Sequence, residues 1–206
     1  MNVIKGSAPA LGVTYDPATN HGACTDANGN TGNVELSCGN YGYDVENRVV
    51  AYYPSGPYGG ASAWYGYAPG NKRVWRGAGT YDSSTGTWST DEVTFWAPNG
   101  QKLGTYQVTA VLGCQFASPQ CGNAAMAPQF YASQTGTYYY FGGRMVKNAS
   151  AWVYGDRLGS IGKYYPYGQE RPSATQNGTE KFTGYLRDAE TGLDYADQRY
   201  GEQWPG

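Results

Sequence analysis

Residues 152–200 read WVYGDRLGSIGKYYPYGQERPSATQNGTEKFTGYLRDAETGLDYADQRY, and their punctuation decides the fold. Aromatic runs containing Tyr154, Tyr164, Tyr165 and Tyr167 are broken at Asp156–Gly159 and Pro166–Gly168, where glycine, proline and aspartate favour tight turns. Asp188-Ala-Glu-Thr-Gly192 lies between two apolar-aromatic runs. In such a turn the aspartate accepts from nearby backbone amides and Gly192 supplies a positive φ, so the segment reads as a hairpin. The expectation is an all-β chain of serial antiparallel β-hairpins with little or no helix.

The same pieces, in the same order, resemble the core-associated region of the bacterial Rhs and YD-repeat family. They are Asp156-Arg157-Leu158-Gly159-Ser160, Tyr164-Tyr165-Pro166-Tyr167-Gly168, Phe182-Thr183-Gly184, Arg187-Asp188, Glu190 to Tyr195 and Arg199-Tyr200. Upstream, Tyr43-Asp44-Val45-Glu46-Asn47-Arg48 resembles a YD-repeat turn. The resemblance implies a β-rich spiral shell of the kind that encloses or displays a toxic C-terminal segment, with a structural rather than catalytic role. Some relatives cut themselves with aspartates in a motif that follows the Arg-Tyr region. Here Tyr200 is followed by Gly-Glu-Gln-Trp-Pro-Gly, without the Asp-Pro continuation, so neither self-cleavage nor a following toxin domain is expected.

The turn recurs along the chain. An aromatic followed by small or acidic residues and then Gly or Asn appears at Tyr15, Tyr43, Tyr67, Tyr81, Trp96, Tyr140 and Tyr154, with a threonine-led variant at Thr25. Tyr67, Tyr81 and Trp96, and again Tyr140 and Tyr154, stand about 14 residues apart, which marks an internal repeat. Bulky residues alternate in 92–96 and 102–108, as strands require, and 137–141 pairs with 144–146 around Gly142-Gly143. Residues 116–134 carry no such pattern and read as loop. One domain is expected over 1–206, with irregular hairpins and two cysteine insertions in 1–151 and the core-like segment in 152–200.

Composition agrees. The chain has 206 residues with 31 Gly, 21 Tyr and 11 Pro, and only 15% are charged. It is poor in helix formers, and its 16% aromatic content opposes disorder. A net charge of −2 with no Lys/Arg run gives no footprint for nucleic acid, and no apolar run reaches the roughly 20 residues of a membrane helix. The expected partners are further copies of the chain, neighbouring YD-repeat segments, or a cell-surface glycan.

Cys24 with Cys38 and Cys114 with Cys121 form two near pairs, and loop closure favours local pairing. Disulfides would place the protein outside the cytoplasm, and an extracellular or cell-surface location is expected. Reduced thiols and a zinc site are the alternatives, the latter opposed by the absence of a C-x₂-C spacing and the presence of one histidine, His21. Asp26, Asn28 and Asn30 open like a calcium loop, but Thr31 and Ser37 replace its glycine and glutamate, and turn chemistry accounts for the same residues. Asp188, Glu190 and Asp194 read as turn caps rather than a glycosidase pair. No nucleophile, base, metal or cofactor constellation stands out, and no enzyme is expected. Tyr58, Trp64 and Tyr65 are a possible stacking surface for sugars or protein, against the alternative that they fill a core short of Leu and Ile. Asn148-Ala-Ser and Asn177-Gly-Thr fit the glycosylation pattern.

Overall fold

The structure, a computed structural model, describes residues 16–19, 21–22, 24–32, 40–55, 61–114, 126–149, 151–165, 170–171, 179–197 and 200–201; for 112–114, 126–127 and 201 it describes the backbone alone. Its main element is an antiparallel meander. The strands β1 (Tyr41–Tyr43), β2 (Val49–Tyr52), β3 (Ala63–Tyr67), β4 (Arg73–Asp82), β5 (Thr87–Trp96), β6 (Lys102–Cys114) and β7 (Met126–Thr137) lie side by side in chain order. A hairpin of β8 (Tyr139–Phe141) and β9 (Arg144–Lys147) follows, and β10 (Leu186–Arg187), β11 (Asp194–Tyr195) and β12 (Tyr200–Gly201) form a small third sheet. The all-β expectation holds: the helical piece among the described residues is a 3-10 turn at Phe182–Gly184.

One turn geometry recurs after Thr25, Tyr43, Tyr67, Trp96 and Tyr154, whereas the turns after Tyr81 and Tyr140 close differently. In Asp26–Asn30, Asp44–Arg48, Ala68–Lys72, Ala97–Gln101 and Asp156–Ser160, the first N–H bonds to the fifth carbonyl and the fourth N–H bonds to the first carbonyl. The fourth residue is left-handed each time: Gly29, Asn47, Asn71, Gly100 and Gly159, with φ between 61° and 87°. This is a three-residue hairpin loop closed by a bulge, and only Gly or Asn adopts the bulge position without strain. Where aspartate leads, its carboxylate collects the amides that the loop leaves free. Asp44 Oδ1 accepts from the N–H groups of Glu46 and Arg48 at 2.9 Å, and Asp156 and Asp26 do the same for Leu158 with Ser160 and for Asn28 with Asn30. The Asp26 group is thus a capped turn. Lys181–Tyr185 closes in the same way around Gly184, a copy that its sequence does not advertise.

One segment differs from expectation. Residues 126–134 are strand, not loop, because β7 pairs along β6 from Gly104↔Thr137 to Cys114↔Met126. Among the described residues β7 has no partner on its other side, so Pro128, which donates no hydrogen bond, is tolerated on an edge. Residues 136–141 are divided as the hairpin reading requires: Gly136 pairs with Thr105, while Tyr139–Phe141 turns away to pair with β9 around Gly142 and Gly143.

The two faces of the sheet differ. On one, Val49, Ala63, Tyr65 and Ala78 are buried, with Tyr41, Tyr43, Tyr52, Tyr67 and Tyr200 packed around them. On the other, Trp75 and Trp88 close over Gly77: a Cβ there would lie 2.4 Å from Trp88 Cδ1 and 2.7 Å from Trp75 Cζ2. Gly77→Ala is expected to lower stability by about 1–3 kcal/mol through overpacking, outweighing any entropic gain from removing a glycine. Urea unfolding followed by tryptophan fluorescence measures it; an unchanged midpoint would show that the two rings can yield.

Candidate functional site

The C-terminal hairpins dock on the tyrosine-rich face of the sheet, and the contact is polar. Strand register sets Arg76 across from Tyr65 and Arg73 across from Tyr67, so two arginines rise among buried tyrosines. Opposite them stands the Asp188 turn, closed by Gly192 N–H to Asp188 O with Gly192 at φ 70°. The Asp82–Gly86 turn closes alike, and there the Asp82 carboxylate accepts from the Ser84 amide and hydroxyl and the Thr85 hydroxyl. The Asp188 carboxylate instead turns inward. Arg73 Nη2 donates to Oδ1 at 2.7 Å and Nη1 to Oδ2 at 2.5 Å, with Asp188 2% and Arg73 8% exposed. Expected to cap its own turn, Asp188 is a tertiary anchor.

Around this pair nearly every polar group is matched. Arg73 Nη1 also donates to the Tyr200 hydroxyl at 2.9 Å, and the guanidinium lies over the rings of Tyr65 and Tyr195. Tyr195 accepts from Arg73 N–H at 2.8 Å and donates to Asn71 O at 2.7 Å. Arg76 grips Glu190 through Nε at 2.8 Å and Nη2 at 2.5 Å, and the Tyr65 hydroxyl donates to Glu190 at 2.7 Å. Within the docked C-terminal hairpins, which form a clasp on the sheet, Arg187 forks onto Asp194 and also reaches Glu170, which pairs with Lys181. Lys72 pairs with Asp197 at the rim.

Burial dominates the electrostatics. It pushes the Asp188 carboxyl up, more than Arg73 pulls it down, while Arg73 stays charged because Tyr200 and Asp188 outweigh its own desolvation. The pair thus fixes a docking position at a desolvation cost. Glu190 behaves differently: burial works to raise its pKa, but hydrogen bonds and charge from Arg76 win and hold it below its ordinary value. Desolvation raises Tyr200 and Tyr65 strongly, and Tyr67 to about 12, so these phenols stay protonated.

The motif residues are dispersed. Asp44 serves its own turn and pairs with Arg48, while the Tyr43 hydroxyl donates to Thr31 O at 2.8 Å. Asp156 and Arg157 lie exposed on the Gly159 turn; Pro166 and Gly168 lie outside the described residues. Trp64 and Tyr65, adjacent on β3, point to opposite faces: Trp64 is 39% exposed, whereas Tyr65 is 4% exposed and is removed from the expected stacking surface. Tyr58, Cys38, Cys121 and the Cys114 side chain lie outside the described residues, whereas Cys24 is disulfide-bonded. The sequence reading missed Arg73 and Arg76, which meet their acids across 115 and 114 residues of chain. Their one local signal is charge on core-facing strand positions.

Beside the clasp lies a cavity of about 460 Å³, reached by Lys72, Trp96, Lys102, Tyr140, Arg157 and Glu180 among others. Among the described residues no group of acidic, Cys or His side chains is arranged to hold a metal ion, and no helix is long and apolar enough to cross a membrane. No family model matches the chain, and no curated protein matches it significantly.

Two outcomes test the clasp. Asp188→Ala, which leaves Arg73 buried without its partner, is expected to cost about 3–5 kcal/mol, and Arg73→Met with Asp188→Leu to recover most of it. Denaturant unfolding of the three proteins decides this. Glu190, held low in the folded state, contributes stability that is present above its unfolded value near 4.5 and is lost as pH falls through the lower folded value. Glu190→Gln should therefore lose less stability than the parent between about pH 6 and about pH 3.

Proposed function

We propose that the chain is a structural module of a β wall, of the kind implied by the resemblance of residues 152–200 to Rhs and YD-repeat proteins. Its role is scaffolding, either by assembly with further copies into a wall, tube or filament or as part of a larger toxin-enclosing shell. The observation that carries this reading is the arm formed by β6 and β7. Gln107 is the last β6 residue to pair with β5, and residues 108–114 pair with β7 alone among the described residues. A two-stranded ribbon with both edges open is marginal by itself and invites strand addition. Val111, Phe130 and Tyr131 on this arm are 56%, 61% and 52% exposed, which supplies apolar surface to bury against a neighbour.

The clasp supports the same reading. Its charged side chains are spent on one another, an economy suited to fixing a shape rather than to turning over a substrate. The disulfide at Cys24 supports a secreted or cell-surface location, because such bonds persist in oxidising compartments. A second reading, a glycan- or surface-binding module, draws on the open face, where Trp64 leans edge-on to Tyr53 and the half-exposed Phe95 to Tyr106. A glycan array separates the two.

Light scattering with negative-stain imaging tests assembly. The expected result is concentration-dependent growth into ordered polymers that Phe130→Glu with Tyr131→Lys abolishes without changing the circular dichroism. A monomer at every concentration would overturn self-assembly.

A further inference from the structure

Three polar side chains beside the cavity stand apart from the clasp network. Lys102 opens β6 and is 7% exposed. Its Nζ lies 4.6 Å from the centre of the Tyr138 ring, and among the described residues no hydrogen bond or ion pair reaches that nitrogen. Glu180 is 2% exposed; one carboxylate oxygen, Oε1, is buried without a hydrogen-bond partner. Its other oxygen accepts from Asn148 Nδ2 at 3.3 Å. Asn148, which fits the glycosylation pattern, is 7% exposed, and its Oδ1 accepts from Ala151 N–H at 3.1 Å.

The backbone brings these groups to one level. Tyr138 N–H bonds to Leu103 O, directly after Lys102. Tyr139 pairs with Lys147, so Tyr138 and Asn148 are the next residues along the two arms of that hairpin. The Asn148 turn is seated tightly: a Cβ on Gly136 would fall 2.6 Å from Ala149 Cβ and 3.3 Å from Tyr138 Cε2. Glu180 is held from the other side by its bridge to Leu186, and both Lys102 and Glu180 line the cavity.

Each part of this arrangement matches one requirement of acyl transfer to an amine. The Asn148 carbonyl oxygen already takes a backbone N–H, the donor that a developing oxyanion needs. Its amide nitrogen, the leaving group, touches a carboxylate that can take up the amine's proton and pass it on. The amine is desolvated, and burial lowers the Lys102 pKa, aided by Arg73 and Arg76 and opposed by Glu92 and Glu180, which makes the neutral nucleophilic form accessible.

We propose that Lys102 and Asn148 join in an intramolecular isopeptide bond, with Glu180 as the proton relay. Lys102 Nζ attacks Asn148 Cγ, forming the new C–N bond and placing negative charge on Oδ1, where Ala151 N–H stabilises it. The proton shed by the amine passes to Glu180 and from there to Nδ2. The Cγ–Nδ2 bond breaks, the carbonyl re-forms and ammonia leaves through the adjoining cavity. The reaction exchanges one amide for another, is redox-neutral and requires no cofactor. The product ties the first residue of β6 to the turn after β9, a covalent staple between the main sheet and the β8–β9 hairpin. The inference stands independently of wall assembly.

Intact mass spectrometry of the full chain, reduced and denatured, tests it. The expected mass is about 17 Da below that of the sequence, one ammonia, with a proteolytic peptide joining the Lys102 and Asn148 segments. Lys102→Arg and Asn148→Ala should restore the full mass. Glu180→Gln, shown to be folded by circular dichroism and tryptophan fluorescence, should slow the loss by about 100-fold or more. A parent chain at full mass after prolonged incubation would overturn the proposal. So would a deficit that survives in Lys102→Arg, which would point to ring closure at an Asn-Gly step such as Asn99-Gly100 instead.

Discussion

The bond between Arg73 and Asp188 is the constraint from which the rest of the arrangement follows. A guanidinium buried on a sheet face must meet a carboxylate with matching geometry or carry a desolvation cost of several kcal/mol, and the partner here arrives from a turn 115 residues later. Once that turn is seated, Glu190 meets Arg76 and Tyr65, Tyr195 spans Arg73 and Asn71, and the Tyr200 hydroxyl meets that of Tyr67. The small third sheet, with strands of two residues, has little pairing of its own to hold it together. Its position is a consequence of side chains more than of backbone ladders.

This explains why so much tyrosine serves so small an apolar core. The most buried apolar cluster holds Val49, Ala63, Tyr65 and Ala78, without a leucine or isoleucine. Tyrosine offers ring area for packing and a hydroxyl for the buried charges, so one residue type fills space and satisfies arginine and glutamate together. A phenylalanine in the place of Tyr65 would leave Glu190 short of a donor. The aromatic enrichment and the ion pairs are thus two aspects of one polar core.

What was legible in the sequence is local, and what was hidden is long-range. The Asp44 and Asp156 turns could be read directly, because aspartate, the loop amides and the left-handed Gly or Asn all lie within five residues. The hairpin at Gly142-Gly143 was equally plain. Strand β7 was not, since 126–134 has little β-branched character and becomes a strand by pairing with β6. Asp188 looked like any other turn aspartate, and nothing near it distinguishes a carboxylate that faces its own amides, as at Asp82, from one that faces an arginine across the fold. Lys102, Asn148 and Glu180 share no motif at all; Asn148 meets Glu180 through its side-chain amide, and Lys102 lies over the ring of Tyr138, the residue that register sets beside Asn148.

If side-chain ion pairs rather than strand ladders hold the C-terminal hairpins, clasp and sheet must open as one unit. Native-state hydrogen exchange read by mass spectrometry, comparing peptides from 63–82 with those from 179–197, measures this directly. The account predicts that protected amides in both regions exchange together, with the same opening free energy. Exchange of 179–197 well ahead of the sheet, with 63–82 still protected, would contradict it and reduce the clasp to a surface attachment.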